Sequence, residues 1–157
     1  MSRATRATVS LHRAGVAFTV HVYDYDPAAD RIGMQAAEAL GEAPARVLKT
    51  LMARVDGRPA CVILPSDREV SMKKLAAALG GKAAEMMKPA DAERLSGYKV
   101  GGISPFGQTR RVPVAIEAAA LAEALVYING GQRGLQVRLS PADAVKVLGA
   151  VVAEVVA

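Results

Sequence analysis

Val47-Leu48-Lys49-Thr50-Leu51-Met52-Ala53-Arg54-Val55-Asp56-Gly57-Arg58-Pro59-Ala60-Cys61-Val62-Ile63-Leu64 reads as two strands joined at Asp56-Gly57. Asp-Gly readily takes the left-handed backbone of a tight two-residue turn, and the flanks are rich in Val, Ile and Leu. Pro65-Ser66-Asp67 then stops the second strand. On the first strand, Val47, Lys49 and Leu51 share one face, and Leu48, Thr50 and Met52 the other. A lysine in so apolar a stretch is either a snorkelling edge residue or a placed charge.

Towards the N-terminus, residues 5–14 read as a helix closed by Gly15. Residues 16–23 alternate, with Val16, Phe18, Val20 and Val22 on one face and Ala17, Thr19 and His21 on the other, which predicts a strand. Asp24-Tyr25-Asp26-Pro27 is turn chemistry, and residues 33–40 form a short helix ended by Gly41. Towards the C-terminus, Ser71 caps a helix reaching Leu79 and Gly80-Gly81 stops it. Residues 83–87 predict a short strand, and residues 89–95 a turn or two of helix started by proline. A glycine loop over residues 98–107 precedes a strand at 112–116, where Pro113 marks a sheet edge or the start of the strand.

Residues 117–123 predict a helical link, and strands at 125–129 and 134–139 turn about Gly130-Gly131. Ser140-Pro141-Ala142-Asp143 opens a last helix, with serine as N-cap, proline at the first helical position and an acid in the first turn. Strands and helices mix without regular strand–helix–strand alternation. The pattern predicts one α+β domain, residues 1–157, around a mixed sheet, with no repeat, linker or low-complexity segment.

With 157 residues, 52% hydrophobic, the chain can bury a real core and is not a disordered polymer. It has no Trp, only Tyr 4 and Phe 2, so that core is mainly aliphatic. A net charge of +5 permits a polyanionic partner. Basic residues recur at Lys73, Lys74, Lys82, Lys88, Arg94, Lys99, Arg110 and Arg111, and would form a phosphate track if they met on one rim. The single Cys61 rules out an intrachain disulfide and suits a reducing compartment. No signal peptide or membrane span is read, so the expected location is cytoplasmic.

Gly101-Gly102-Ile103-Ser104-Pro105-Phe106-Gly107 is either an ordinary turn or a nest of amides facing an oxyanion. It matches neither a Walker A loop nor a dinucleotide fingerprint. Arg133, in Asn129-Gly130-Gly131-Gln132-Arg133-Gly134, could hold a phosphate or carboxylate, or be a solvated turn residue. Cys61 lies in a buried-looking strand and reads as core. Met86-Met87 reads as core filler. His21, Asp24 and Asp26 lack metal-ligand spacing, so neither metal nor cofactor is expected.

Taken in order, Tyr23-Asp24-Tyr25-Asp26-Pro27, Val47-Leu48-Lys49-Thr50-Leu51, Gly97-Tyr98-Lys99-Val100-Gly101-Gly102-Ile103-Ser104-Pro105-Phe106-Gly107 and Tyr127-Ile128-Asn129-Gly130-Gly131-Gln132-Arg133-Gly134-Leu135 resemble the YbaK/EbsC family over almost the whole chain. That family comprises free-standing relatives of the editing domain of bacterial prolyl-tRNA synthetase. The resemblance implies a three-layer α+β domain around a bifurcated mixed β-sheet. It implies a deacylase of mischarged aminoacyl-tRNA, most typically Cys-tRNA(Pro) and also Cys-tRNA(Cys), with a transient prolyl-tRNA synthetase complex as a further expectation.

By the same resemblance Lys49 falls on the essential lysine, and Gly101, Gly102, Ile103, Ser104 and Pro105 on the carbonyl-binding loop. Tyr23, Thr50 and Tyr98 match pocket positions, and Gly130, Gly131 and Arg133 belong to the last motif. Ile32 stands where an aromatic residue is common, Asn129 where serine is common, and Gln136 where an aspartate is found. The chemistry is thus better defined than the amino acid cleared, and alanine is an alternative. The expected mechanism has the amides of Gly101 and Gly102 polarising the ester carbonyl while Lys49 holds the terminal nucleotide. Attack comes from water placed by the ribose 2′-hydroxyl or from a cysteine substrate's own thiol. The rival reading is a non-catalytic nucleotide- or tRNA-binding module.

Overall fold

The computed structural model describes residues 4–28 and 34–157. The hairpin is its centre: β2 (Leu48–Val55) and β3 (Arg58–Pro65) pair antiparallel, with Met52 opposite Cys61. Asp56 and Gly57 both take positive φ (50° and 80°), as the two central residues of a tight hairpin turn must. β4 (Ala84–Met86) joins the other edge of β2 but reaches only Ala53–Val55. β5 (Val114–Glu117) lies parallel to β3, and β8 (Val151–Ala153) parallel to β5, giving a five-stranded sheet β4-β2-β3-β5-β8. Pro113 precedes β5, and its carbonyl accepts from the Cys61 amide, so the proline marks a strand start inside the sheet.

A second, three-stranded sheet has the order β1-β7-β6, from β1 (Thr19–Val22), β7 (Leu135–Leu139) and β6 (Val126–Gln132). A parallel bridge between Val47 and Tyr127 joins the two sheets. Along its outer edge β2 therefore changes neighbour, from β4 at Ala53 to β6 at Val47, and the sheet forks between them.

Side-chain alternation sorts the five-stranded sheet into two cores. Leu48, Met52, Cys61, Ile63 and Ile116 face a cluster with α1 (Arg6–Arg13), α4 (Pro89–Ser96) and α5 (Pro141–Leu148). Ala53, Val55, Val62, Leu64 and Ala115 pack against Leu75 and Ala76 of α3 (Met72–Ala78) on the other face. Helices thus cover both faces of the central sheet. α2 (Gln35–Leu40) packs Ala36 and Ala37 on the junction residues Val47 and Tyr127. Gly41, Gly97 and Gly149 end their helices with left-handed caps, and Thr5 and Ser71 cap theirs through side-chain oxygens.

One expectation is corrected. The last hairpin turns at Arg133-Gly134 and not at Gly130-Gly131, which occupy an irregularity in β6 between Asn129 and Gln132. The Asn129 Oδ1 accepts the Gly131 amide at 2.7 Å, so the asparagine that suggested a turn bends the strand instead. In β1, Val20 and Val22 share a face with buried Val137 and Leu135 yet stay 37% and 50% exposed, because α1 lies over β6 and leaves this edge strand overhanging. Ser140 occupies the N-cap of α5, but its side chain makes no capping bond.

Candidate functional site

The fork in the sheet opens into a cavity of about 270 Å³. The Met87 amide donates to the Met52 carbonyl, and the Asp56 amide to the Ala83 carbonyl. Even-numbered residues of β2 therefore aim their main chain at this edge. Thr50 lies beyond the reach of β4 and short of the bridge at Val47. Because the cavity opens at a strand edge, side chains from both faces of β2 reach it, Lys49 and Thr50 alike.

The structure brings Lys49, Gly101, Tyr23, Thr50, Ile103, Asn129 and Gln136 to the wall of this one cavity. Sequence reasoning had not placed Tyr25, Ser66, Met86, Met87 or Val100 there. Tyr25 sits inside a motif quoted for its neighbour Tyr23, and adjacent methionines at a strand end were the one sign of an adaptable apolar wall.

Lys49 is the only cationic residue on the wall, and no Asp, Glu or His shares the wall among the described residues. The Lys49 ammonium has no ion pair or hydrogen bond among those residues, and it is only partly buried. On the same wall, Thr50 Oγ1 and Gln136 Oε1 are buried without any hydrogen-bond partner among the described residues. Leaving such an atom unpaired costs about 1–3 kcal/mol, a cost that a ligand with matching groups removes. Burial pushes the Tyr23 hydroxyl pKa above its ordinary value; neighbouring Tyr25 acts the same way, and the Gln136 side chain opposes both.

The glycine loop is fixed by side chains of neighbouring segments. Arg133 Nε donates to the Val100 carbonyl at 2.9 Å, and its guanidinium lies over the Tyr25 ring. Asn129 Nδ2 donates to the Gly101 carbonyl at 3.3 Å. The Val100 amide donates to Glu93 Oε2. Tyr98 is buried, with its hydroxyl on the Phe106 carbonyl, and burial pushes its pKa up to about 12 against the opposing charge of Arg6.

The Gly102 amide donates to the Lys99 carbonyl at 2.8 Å, so it is not available to an oxyanion. A Cβ at Gly102 would come within 2.7 Å of the Arg133 nitrogen, so this glycine serves close packing on the β6–β7 turn. Among the described residues the amides of Gly101 and Ile103, both on the cavity wall, donate to no protein acceptor.

Tyr98, Ser104, Pro105, Gly130, Gly131 and Arg133 do not line the cavity. Ser104 Oγ accepts the Phe106 amide, Pro105 borders a separate cavity next to α5, and Gly130 offers its carbonyl to Thr5 Oγ1. A Cβ at Gly131, which has φ +96°, would press on the Tyr98 ring. Ile32 lies outside the described residues. Of the basic residues considered for a phosphate track, Lys73 and Lys74 ride on α3, which packs on the sheet face that also carries Lys49, and Arg94 pairs with Asp91.

A family model described as an aminoacyl-tRNA editing domain matches residues 26–147, a span that contains the hairpin, the glycine loop and the last hairpin. The chain belongs to the aminoacyl-tRNA editing domain family. EbsC of Enterococcus faecalis, provisionally described as a Cys-tRNA(Pro)/Cys-tRNA(Cys) deacylase, is 32% identical over 121 residues, 76% of this chain and 74% of that one. The proline–tRNA ligase of Geobacillus thermodenitrificans is 31% identical over 96 residues, which is 61% of this chain but only 16% of the ligase. A solved structure provisionally described as a trans-editing enzyme for prolyl tRNA synthetase superposes with TM-score 0.81, covering 97% of this chain and 95% of the other at 21% identity. That likeness bears out the predicted α+β editing-domain fold. No helix among the described residues is long and apolar enough to cross a membrane.

Proposed function

We propose that residues 1–157 act as one editing unit that cleaves the aminoacyl ester of mischarged tRNA, with Cys-tRNA(Pro) foremost and Cys-tRNA(Cys) next. One observation carries this reading. Among the described residues the cavity holds an unpaired ammonium, two unpaired buried acceptors and two free loop amides, with no acid or histidine on the wall to serve as base.

The ester carbonyl oxygen is received by the Gly101 and Ile103 amides, which stabilise the negative charge that develops as the carbonyl carbon is attacked. The Lys49 ammonium holds the terminal adenosine in register. Gln136 Oε1 and Thr50 Oγ1 accept from the α-ammonium of the amino acid. In hydrolysis, water ordered by the ribose 2′-hydroxyl adds to the carbonyl carbon, the ester C–O bond breaks, and the ribose oxygen takes the proton. With a cysteinyl ester, the substrate thiol forms the new S–C bond, its proton passes to the leaving ribose oxygen, and a thiolactone departs. That second route makes the enzyme formally a lyase.

The cavity itself reads little more than the last nucleotide and its amino acid. Choice of tRNA is therefore assigned to a transient complex with prolyl-tRNA synthetase. The test is a deacylation panel over Cys-, Ala- and Pro-charged tRNA(Pro). The expected order is fastest release from Cys-tRNA(Pro) with Pro-tRNA(Pro) spared. Fastest release from Ala-tRNA(Pro) reassigns the pocket to alanine, and binding without release from any of them replaces the enzyme with a binding module.

A further inference from the structure

The floor of the cavity continues beyond it along the three-stranded sheet. Strand register puts Thr19, His21, Gln136, Arg138, Tyr127 and Asn129 on one face, through the pairs Thr19–Arg138, His21–Gln136, Tyr127–Arg138 and Asn129–Gln136. Gln136 and Asn129 line the cavity; Arg138 and His21 are their next neighbours outwards. Residues two apart on a strand lie about 6.7 Å apart, so Arg138 stands one short step from the cavity wall.

Arg138 is partly buried and has no ion pair or hydrogen bond among the described residues, and its Nε is fully buried without a partner. Its guanidinium lies over the Tyr127 ring, with 5.5 Å to the centroid. The His21 ring meets the same tyrosine edge-on at 5.2 Å, and the His21 Nε2 is 2.8 Å from Thr19 Oγ1. None of the six residues on this face is acidic. A half-desolvated guanidinium, oriented by a ring and given no counter-ion, is an anion site waiting for its anion.

We propose that Arg138, with His21 and Thr19 beside it, binds a phosphodiester of the tRNA acceptor end just upstream of the nucleotide held in the cavity. This rests on the editing reading for the direction of approach. The chemistry it requires is only a phosphate on an extended strand leaving the cavity along the sheet. A site of this kind contributes to affinity for tRNA and nothing to the ester chemistry.

The test compares wild type, Arg138→Ala and Arg138→Lys in two assays. In binding of uncharged tRNA(Pro) against salt, Arg138→Ala is expected to weaken affinity roughly tenfold and to lower the salt slope by about one. Arg138→Lys is expected to restore the slope while recovering part of the affinity. In deacylation, Arg138→Ala raises KM for Cys-tRNA(Pro) with kcat kept, and leaves the cysteinyl ester of plain adenosine, which carries no phosphate, at the wild-type rate. An unchanged salt slope overturns the proposal, as does no tRNA binding by wild type. An equal loss on the tRNA and adenosine esters also overturns it, by assigning Arg138 to the sheet. If wild type binds tRNA but cleaves neither ester, the editing reading fails while the slope still decides the phosphate site.

Discussion

The Tyr98 hydroxyl donates to the Phe106 carbonyl across eight residues of chain, tying the start of the glycine loop to its end. With Arg133 on the Val100 carbonyl and Asn129 on the Gly101 carbonyl, the loop's carbonyls are held by neighbouring side chains, and the Gly101 and Ile103 amides stay uncommitted. Tyr98→Phe is expected to cost about 1–2 kcal/mol in urea unfolding, because the buried carbonyl loses its donor. It is also expected to slow deacylation without changing the amino acid preferred. An unaltered unfolding midpoint would remove the tether from the account.

Glu117 is buried and divides its carboxylate between two amides: Oε1 accepts from Val155 and Oε2 from Ala119. It therefore pins the C-terminal segment to the end of β5. Glu117→Gln turns one acceptor into a donor facing an amide, and about 1–3 kcal/mol of stability is expected to go. Deacylation per folded molecule should stay as in the wild type. Denaturant titration beside an activity assay checks both halves.

Cys61 is fully buried, and burial alone lifts its thiol from 9.0 to about 12. Burial lifts Tyr98 from 10.0 to about 12 as well. Both groups hold their proton more tightly folded than unfolded. Their contribution is thus complete below the unfolded values and is lost as pH rises from about 9 to about 12. Stability is expected to fall across that window, and Cys61→Ala to make the fall shallower. A thiol reagent at neutral pH should label Cys61 only as fast as the protein opens; fast labelling of the native protein would contradict its burial.

Gly102 tests the shape of the loop rather than its amides. Its N–H is already spent on Lys99, and its Cα packs against the backbone of the β6–β7 turn. Gly102→Ala is expected to lower the melting temperature and activity together, since the contact is with backbone and cannot swing aside. Loss of activity at an unchanged melting temperature would return Gly102 to the oxyanion site.

Much of this arrangement could be read from short-range chemistry. Asp56-Gly57 demanded a hairpin, Ser71 a helix cap, and Gly41 and Gly97 helix ends, because each of these features is settled by its near neighbours. The fork was not legible. It depends on Val47 meeting Tyr127, eighty residues away in the chain, and no local pattern carries a bridge of that kind. The same limit explains the last hairpin. Asn129-Gly130-Gly131 has turn chemistry, yet packing of Gly130 on Leu135 and of Gly131 on Tyr98 makes it a strand irregularity. At the site, Lys49 and Thr50 could be singled out from their setting in β2. The commitment of the Gly102 amide to Lys99, the isolation of Arg138, and the Met86 and Met87 wall exist only once distant segments meet.

The most direct test is the single-turnover release of amino acid from Cys-tRNA(Pro) by wild type and by Lys49→Ala, with melting temperatures measured alongside. Lys49 has no protein partner to lose among the described residues, so the variant should melt with the wild type while its rate falls by about a hundredfold or more. A Lys49→Ala protein that folds and releases the amino acid within about twofold of the wild-type rate, a gap well under the tenfold that 1.36 kcal/mol of barrier makes, would contradict the account at its centre.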